Sequence, residues 1–170
     1  CSSDLQMRGY GERGPEKDSK GFDATAYSAR GGVLRSFPQI GDSPVNVPAA
    51  FGDWNAAGFL TSGVLAALIR KEKTGVGDKV VVNLYHVACW GMQHAIVSRQ
   101  SGALYPRSRK AVPTPSNNCY QSRDGIWFLI CEANYNAYYE KMNKAFGIAE
   151  LVGNEAYNTL EKLTADKDRK

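Results

Sequence analysis

Thr74-Gly75-Val76-Gly77-Asp78 separates two stretches of different hydrophobic period, and the reading of those stretches decides the fold. Before it, Ala57, Leu60, Val64, Leu65, Leu68 and Ile69 recur at three- and four-residue steps between Trp54 and Lys73, which is helical spacing. Arg70, Lys71 and Lys73 gather at the end, and Gly75 follows as a usual helix stop. After it, Lys79–Asn83 carries Val80-Val81-Val82 and reads as a short strand, and Leu84–Gln100 resumes helical spacing through Leu84, Val87, Ala88, Gly91 and Ala95. The small residues Ala56, Ala57, Gly58, Ser62, Gly63, Ala66 and Ala67 would let another backbone approach closely, which predicts that the first helix is buried. Helix, tight turn, strand and helix together predict an α/β fold.

Upstream, residues 8–52 are dense in Gly and Pro, from Gly9 and Gly11 through Gly14-Pro15 and Gly31-Gly32 to Pro48 and Gly52. Such density denies long regular elements, so loops around one short helix, Asp23–Ala29, are expected. Downstream, Tyr105–Asn118 holds Pro106, Pro113 and Pro115 with Arg107, Arg109 and Lys110, an extended basic linker. Cys119–Arg123 and Ile126–Cys131 then flank Asp124-Gly125, a two-residue hairpin signal. Helices are predicted over Asn134–Phe146 and Asn154–Leu163, and the polar end Glu161–Lys170 is expected to fray.

The 170 residues are about one ordinary domain's worth, and 43% hydrophobic content is enough for a core. A net charge of +4 is spread without a block of like charges, so nucleic acid is not implied. The longest apolar run, Ile126–Cys131, is far short of a bilayer span, and Cys1-Ser2-Ser3-Asp4 lacks the basic and apolar regions of a signal peptide. Cys1, Cys89, Cys119 and Cys131 form no C-x-x-C pair and read as reduced structural thiols, from which a cytoplasmic location is expected. His86 and His94 stand eight apart without a carboxylate at i+3 or i+4, so no metal site is expected.

Phosphate loops of the G-x-x-x-x-G-K-[ST] type and the G-x-S-x-G elbow are absent from the sequence. What stands out is Phe51-Gly52-Asp53-Trp54 at the start of the small-residue helix. The simpler reading makes Asp53 an N-cap, accepting a backbone amide of the first turn. The sharper reading makes it a carboxylate nucleophile, kept ionised by the helix N-terminus beside amides that can stabilise an oxyanion. Both need the same spacing, which does not choose between them.

Several blocks in order resemble the class III CoA-transferases, the formyl-CoA transferase family. They are Gly9-Tyr10-Gly11-Glu12-Arg13-Gly14-Pro15, Lys20-Gly21-Phe22-Asp23, Gly52-Asp53, Gly63-Val64-Leu65-Ala66-Ala67-Leu68 and Thr74-Gly75-Val76-Gly77-Asp78-Lys79-Val80. Phe22-Asp23-Ala24-Thr25-Ala26-Tyr27, Arg30-Gly31-Gly32 and Tyr105-Pro106-Arg107-Ser108-Arg109 are most similar to the branch that handles 2-hydroxyacyl and cinnamoyl-CoA substrates. The resemblance implies an internal piece of a two-domain fold: residues 1–104 as the later part of a Rossmann-like, CoA-binding large domain, 105–118 as a linker, and 119–170 as the start of a small α+β domain. Earlier strands would precede Cys1 and a closing segment would follow Lys170, so these residues alone are expected to be inactive and poorly folded.

By the same resemblance, Asp53 matches the catalytic aspartate that passes through an aspartyl-CoA thioester. Lys20 and Phe22 match CoA-contacting positions; a solvated loop lysine and a core aromatic are the competing readings. The substrates implied are an acyl-CoA and a carboxylic acid, a 2-hydroxy or aryl acid of amino-acid fermentation. Coenzyme A enters as part of the substrate, with no permanently bound cofactor, and the family's chains pair as interlocked homodimers. Two departures matter. Related racemases carry a histidine base where this chain has Phe22, and a phenyl ring cannot shuttle an α-proton, so racemase or isomerase chemistry is the weaker alternative. The family's glycine-rich loop has no counterpart near Pro113-Thr114-Pro115-Ser116-Asn117-Asn118.

Overall fold

The structure is a computed structural model that describes residues 4–103, 105–110, 112 and 114–166. Expectations placed on Cys1, on Pro113 and on the last four residues lie outside the described residues. The chain divides into two compact units, one ending at Pro106 and one beginning at Arg107.

In the first unit, β1 (Asp4–Arg8) pairs in parallel with β2 (Lys79–Asn83), with Asp4 opposite Lys79 and Arg8 opposite Asn83. A parallel pair requires a crossover. Here it holds a π-helix (Asp23–Arg30), a single turn α1 (Val33–Ser36) and the 24-residue α2 (Phe51–Thr74). The chain continues from β2 into α3 (Leu84–Gly91), with Asn83 as its N-cap: the side-chain oxygen accepts the His86 amide at 2.9 Å. The single helix expected over Leu84–Gln100 is broken at Met92, after which α4 (Gln93–Gln100) begins. The short helix expected at Asp23–Ala29 is present but has the wider π winding.

Ala26, Tyr27, Val33, Ala56, Leu84, Val87, Ala88 and Met92 form the core where the π-helix, α2 and α3 meet. The expected burial of α2 holds on one stripe only. A Cβ on Gly63 would stand 2.6 Å from Val80 Cγ1, so the missing side chain is what lets α2 lie against β2. Gly52, Ala56 and Ala67 are the buried residues of the helix. Leu65, Leu68 and Ile69 are exposed, because nothing among the described residues covers that face.

In the second unit, β3 (Asn117–Gln121) and β4 (Trp127–Cys131) form the expected antiparallel hairpin. Its turn is wider than two residues. The Gly125 amide donates to Ser122 O at 3.0 Å and Ser122 N–H donates to Ile126 O, and Gly125 alone takes a positive φ, of 87°. α5 (Tyr135–Phe146) starts at Asn134, whose side chain accepts the Ala137 amide, and stops at left-handed Gly147. The helix expected over Asn154–Leu163 starts later and runs further, as α6 (Leu160–Ala165) capped by Thr159, so residues 161–165 are helical where fraying was expected. Tyr135, Tyr139 and Leu163 make the small core. Beside it lies an apolar cleft of about 650 Å³ in which Tyr139 Oη and Asn143 Nδ2 are buried without a hydrogen-bond partner.

Cys89, Cys119 and Cys131 are free thiols; Cys89 is half-buried, and Cys119 and Cys131 are exposed. Among the described residues, no three His, Cys, Asp or Glu side chains gather where a metal ion could bind, and no helix is long and apolar enough to cross a membrane.

Candidate functional site

The site is assembled by glycines that let backbones touch. Gly9, just after β1, and Gly21, just before the π-helix, press together: a Cβ on either would overlap the Cα of the other. The Tyr85 amide donates to Gly9 O at 3.1 Å, tying the same point to the start of α3. This crossing fixes where Lys20 and Phe22 leave the loop. Lys20 is exposed, and the Phe22 ring is 65% exposed, so the core-aromatic reading of Phe22 does not hold in this unit. Thr25 anchors the segment, its hydroxyl accepting the Phe22 amide at 2.9 Å and donating to Phe22 O at 3.3 Å.

The π-helix then meets the first turn of α2. The Gly52 amide donates to Asp23 Oδ1 at 2.7 Å. A Cβ on Gly52 would overlap the Tyr27 ring and the Asp23 carboxylate, so only glycine fits. Tyr27 is buried and meets the Phe51 ring edge-on, with centroids 6.1 Å apart. Burial first, and the Asp23 charge second, push its phenol above the ordinary tyrosine range.

Asp53 is not the N-cap. That position belongs to Ala50, which sits in the left-handed region at φ 61° and has no side chain to accept a bond. Asp53 is the third residue of the helix, and its carboxylate is exposed and makes no hydrogen bond or ion pair among the described residues. The capping interpretation of Asp53 is thereby removed, and the acceptor it would have supplied comes from Asp23. A carboxylate on the first turn of a long helix lies in the positive end of its dipole. It can act there as a base, an anion ligand or a nucleophile.

A second cleft, of about 680 Å³, opens between loop 10–16 and the junction of β2 with α3, among Tyr10, Arg13, Arg30, Asn83, Tyr85 and His86. Its charges are largely paired. Arg30 bonds Glu16 at 2.7 Å, and Lys79 bonds Glu12, which with further help from Arg8 and Arg13 holds the Glu12 carboxyl below the usual carboxylate range. Asn83 Oδ1 already accepts the His86 amide, so its Nδ2 faces the imidazole and donates to Nδ1 at 2.9 Å. The neutral ring therefore carries its proton on Nε2.

The blocks Lys20-Gly21-Phe22 and Gly52-Asp53 are thus joined through Asp23, which the sequence marks as a helix start but not as an acceptor for α2. One signal for it was available: no residue from Pro48 to Ala50 offers a side-chain acceptor to the helix start.

Comparison with known proteins places the chain in a family. Residues 5–169 match CoA-transferase family III. Over 161 residues the chain is 41% identical to cinnamoyl-CoA:phenyllactate CoA-transferase of Clostridium sporogenes, covering 93% of this chain and 39% of the relative. It is 40% identical over 158 residues to (R)-2-hydroxy-4-methylpentanoate CoA-transferase of Clostridioides difficile, covering 93% of this chain and 40% of that one. The crystal structure of a CAIB/BAIF family protein from Brucella suis superposes with a TM-score of 0.72 at 21% identity, over 95% of this chain and 43% of that chain. The chain thus spans about 40% of the length of the curated relatives it matches. With its mixed α/β fold and a match running from β1 to the end of the described residues, the chain belongs to CoA-transferase family III.

Proposed function

We propose that Asp53 is the nucleophile of a transferase that moves CoA between an acyl-CoA and a carboxylic acid. An Asp53 oxygen adds to the thioester carbonyl, the C–S bond breaks, and CoA thiolate leaves a mixed anhydride. The thiolate then attacks the aspartyl carbonyl, releasing the first acid as carboxylate and leaving an aspartyl-CoA thioester. The incoming carboxylate attacks that thioester and expels thiolate again. Thiolate closes the cycle at the new acyl carbonyl, forming the product thioester and restoring the Asp53 carboxylate. Each addition creates an oxyanion, for which amides of the first turn are suitable donors.

The observation that carries this reading is the exposed Asp53 carboxylate, without a partner among the described residues, on a helix whose first turn is capped by another residue. The two relatives at about 40% identity are named for phenyllactate and 2-hydroxy-4-methylpentanoate, which supports a 2-hydroxy acid, aryl or branched, as the acceptor class. In this reading Lys20 offers its ammonium to a CoA phosphate and the exposed Phe22 ring offers apolar contact. Residues 1–104 belong to the CoA-binding domain, 105–118 form the linker and 119–170 open the small domain. The working form is a cytoplasmic homodimer.

Racemisation is disfavoured by Phe22, which has no proton to exchange. The test uses the complete reading frame that contains these residues, with a 2-hydroxyacyl-CoA and a second acid in deuterated water. CoA exchange without deuterium at the α-carbon, abolished by Asp53→Ala, is the expected result. Deuterium incorporation without CoA exchange overturns it.

A further inference from the structure

We propose that Asp23 is a positioning residue for Asp53: by capping α2 from the π-helix, it leaves the nucleophile's carboxylate unbonded and fixes the backbone that carries it. This rests on the reading of Asp53 as nucleophile. Three observations support it. Asp53 is the third residue of α2, the position from which an acidic or amide side chain can reach back to the amide of the N-cap residue in a capping box. Here it does not fold back, although Ala50 brings no side-chain acceptor of its own. The Gly52 amide, one residue before Asp53, is instead bonded to Asp23 Oδ1 at 2.7 Å, a charge-assisted bond stronger than a hydroxyl cap would give.

The second half of the argument is rigidity. Gly52 is held on one side by the Asp23 carboxylate and on the other by the buried Tyr27 ring, with no space for a side chain between them. Both residues lie on the π-helix, a winding rare in proteins and frequent at functional sites. Loss of the acceptor would leave the Gly52 amide without a partner and Asp53 as the nearest carboxylate free to take over the cap. A nucleophile drawn into its own helix turn is misplaced for attack, and misplacement by about 1 Å can cost about 100-fold in rate.

The test is a set of three variants in the complete reading frame, assayed for kcat and KM with acyl-CoA and for hydroxylamine-trapped Asp53. Asp23→Asn keeps an acceptor oxygen in place without the charge, Asp23→Glu keeps the charge and displaces the acceptor, and Asp23→Ala removes both. The expected result is near-normal kcat in Asp23→Asn. In Asp23→Glu and Asp23→Ala, kcat and the rate of Asp53 trapping should fall together by roughly 10- to 100-fold, with KM unchanged within about twofold. If Asp23→Ala does not fold, the Asn and Glu variants decide alone. Asn as slow as Glu, wild-type rates in the Glu or Ala variant, or a rise in KM at constant kcat overturns the positioning role and leaves the nucleophile standing. Absence of any trapped Asp53 in the unsubstituted enzyme overturns the nucleophile and the positioning role together.

Discussion

Gly52 and Asp23 are 29 positions apart in sequence and joined by a 2.7 Å bond from backbone amide to carboxylate, in a contact too close for any side chain at position 52. The residue that precedes Asp53 is therefore held from outside its own helix. Most long helices are capped by a residue immediately before them. In α2 the cap comes from the π-helix, and the carboxylate on its first turn has no partner among the described residues.

Gly52→Ala tests that contact. The added methyl meets the Tyr27 ring and the Asp23 carboxylate, and overpacking of this kind costs about 1–3 kcal/mol. Denaturant unfolding should show a loss of that size, with CoA transfer falling by a larger factor than the unfolded fraction explains. A variant with wild-type stability would show that the contact yields easily.

Asp53→Asn should separate chemistry from stability. The carboxylate has no partner among the described residues, so at 0.5 M salt, where attraction to the helix end is screened, stability should stay within about 0.5 kcal/mol of the parent. Transfer should fall by at least about 1,000-fold. A capping-sized loss of about 1 kcal/mol with activity retained is the contrary result.

Ala50→Gly should raise stability. Ala50 sits at φ 61°, where an L-residue pays about 1–2 kcal/mol. Glycine removes that cost but adds about 0.4–1 kcal/mol of unfolded-chain entropy. The expected net gain is between zero and about 1.6 kcal/mol, seen as a higher unfolding midpoint, and a clear loss would contradict the assigned backbone conformation.

Glu12 gives a pH dependence of known sign. Lys79 donates to its carboxylate and lowers its pKa in the folded state. The contribution is therefore fully present above the unfolded glutamate pKa of about 4.3 and is lost as pH falls through the lower folded value. Glu12→Gln should be less stable than the parent at pH 7, and the gap should close as pH falls below the lowered folded pKa. Because the pair is exposed, the gap at pH 7 should shrink in high salt. A gap that widens on acidification would reverse the sign.

What the sequence made legible was local. The 3.6-residue period of Ala57 to Ile69, the Gly75 stop, the valine run of β2 and the apolar stripe of the helix expected over Asn134–Phe146 depend on neighbours in the chain, and these elements formed as expected. The strand β1 carries no turn signal of its own and is defined by a partner more than 70 residues away, so it was not anticipated. Gly91 ends α3 just before the break at Met92, but its place in the apolar stripe of Leu84 to Ala95 made it read as a helix residue rather than a stop. At the site, Asp53 was legible as a residue of interest, but the spacing left open whether it caps the helix. The cap assignment was removed by Ala50 at that position and by Asp23, whose bond exists only once the π-helix folds against Gly52.

The central claim is that Asp53 becomes covalently acylated and then carries CoA. The most direct measurement is to incubate the complete reading frame with a 2-hydroxyacyl-CoA, trap with hydroxylamine or borohydride, and locate the modified residue by mass spectrometry. The account predicts modification at Asp53, dependent on the acyl-CoA and absent from Asp53→Ala. Turnover with Asp53 unmodified, or modification of another carboxylate that persists in Asp53→Ala, would contradict it.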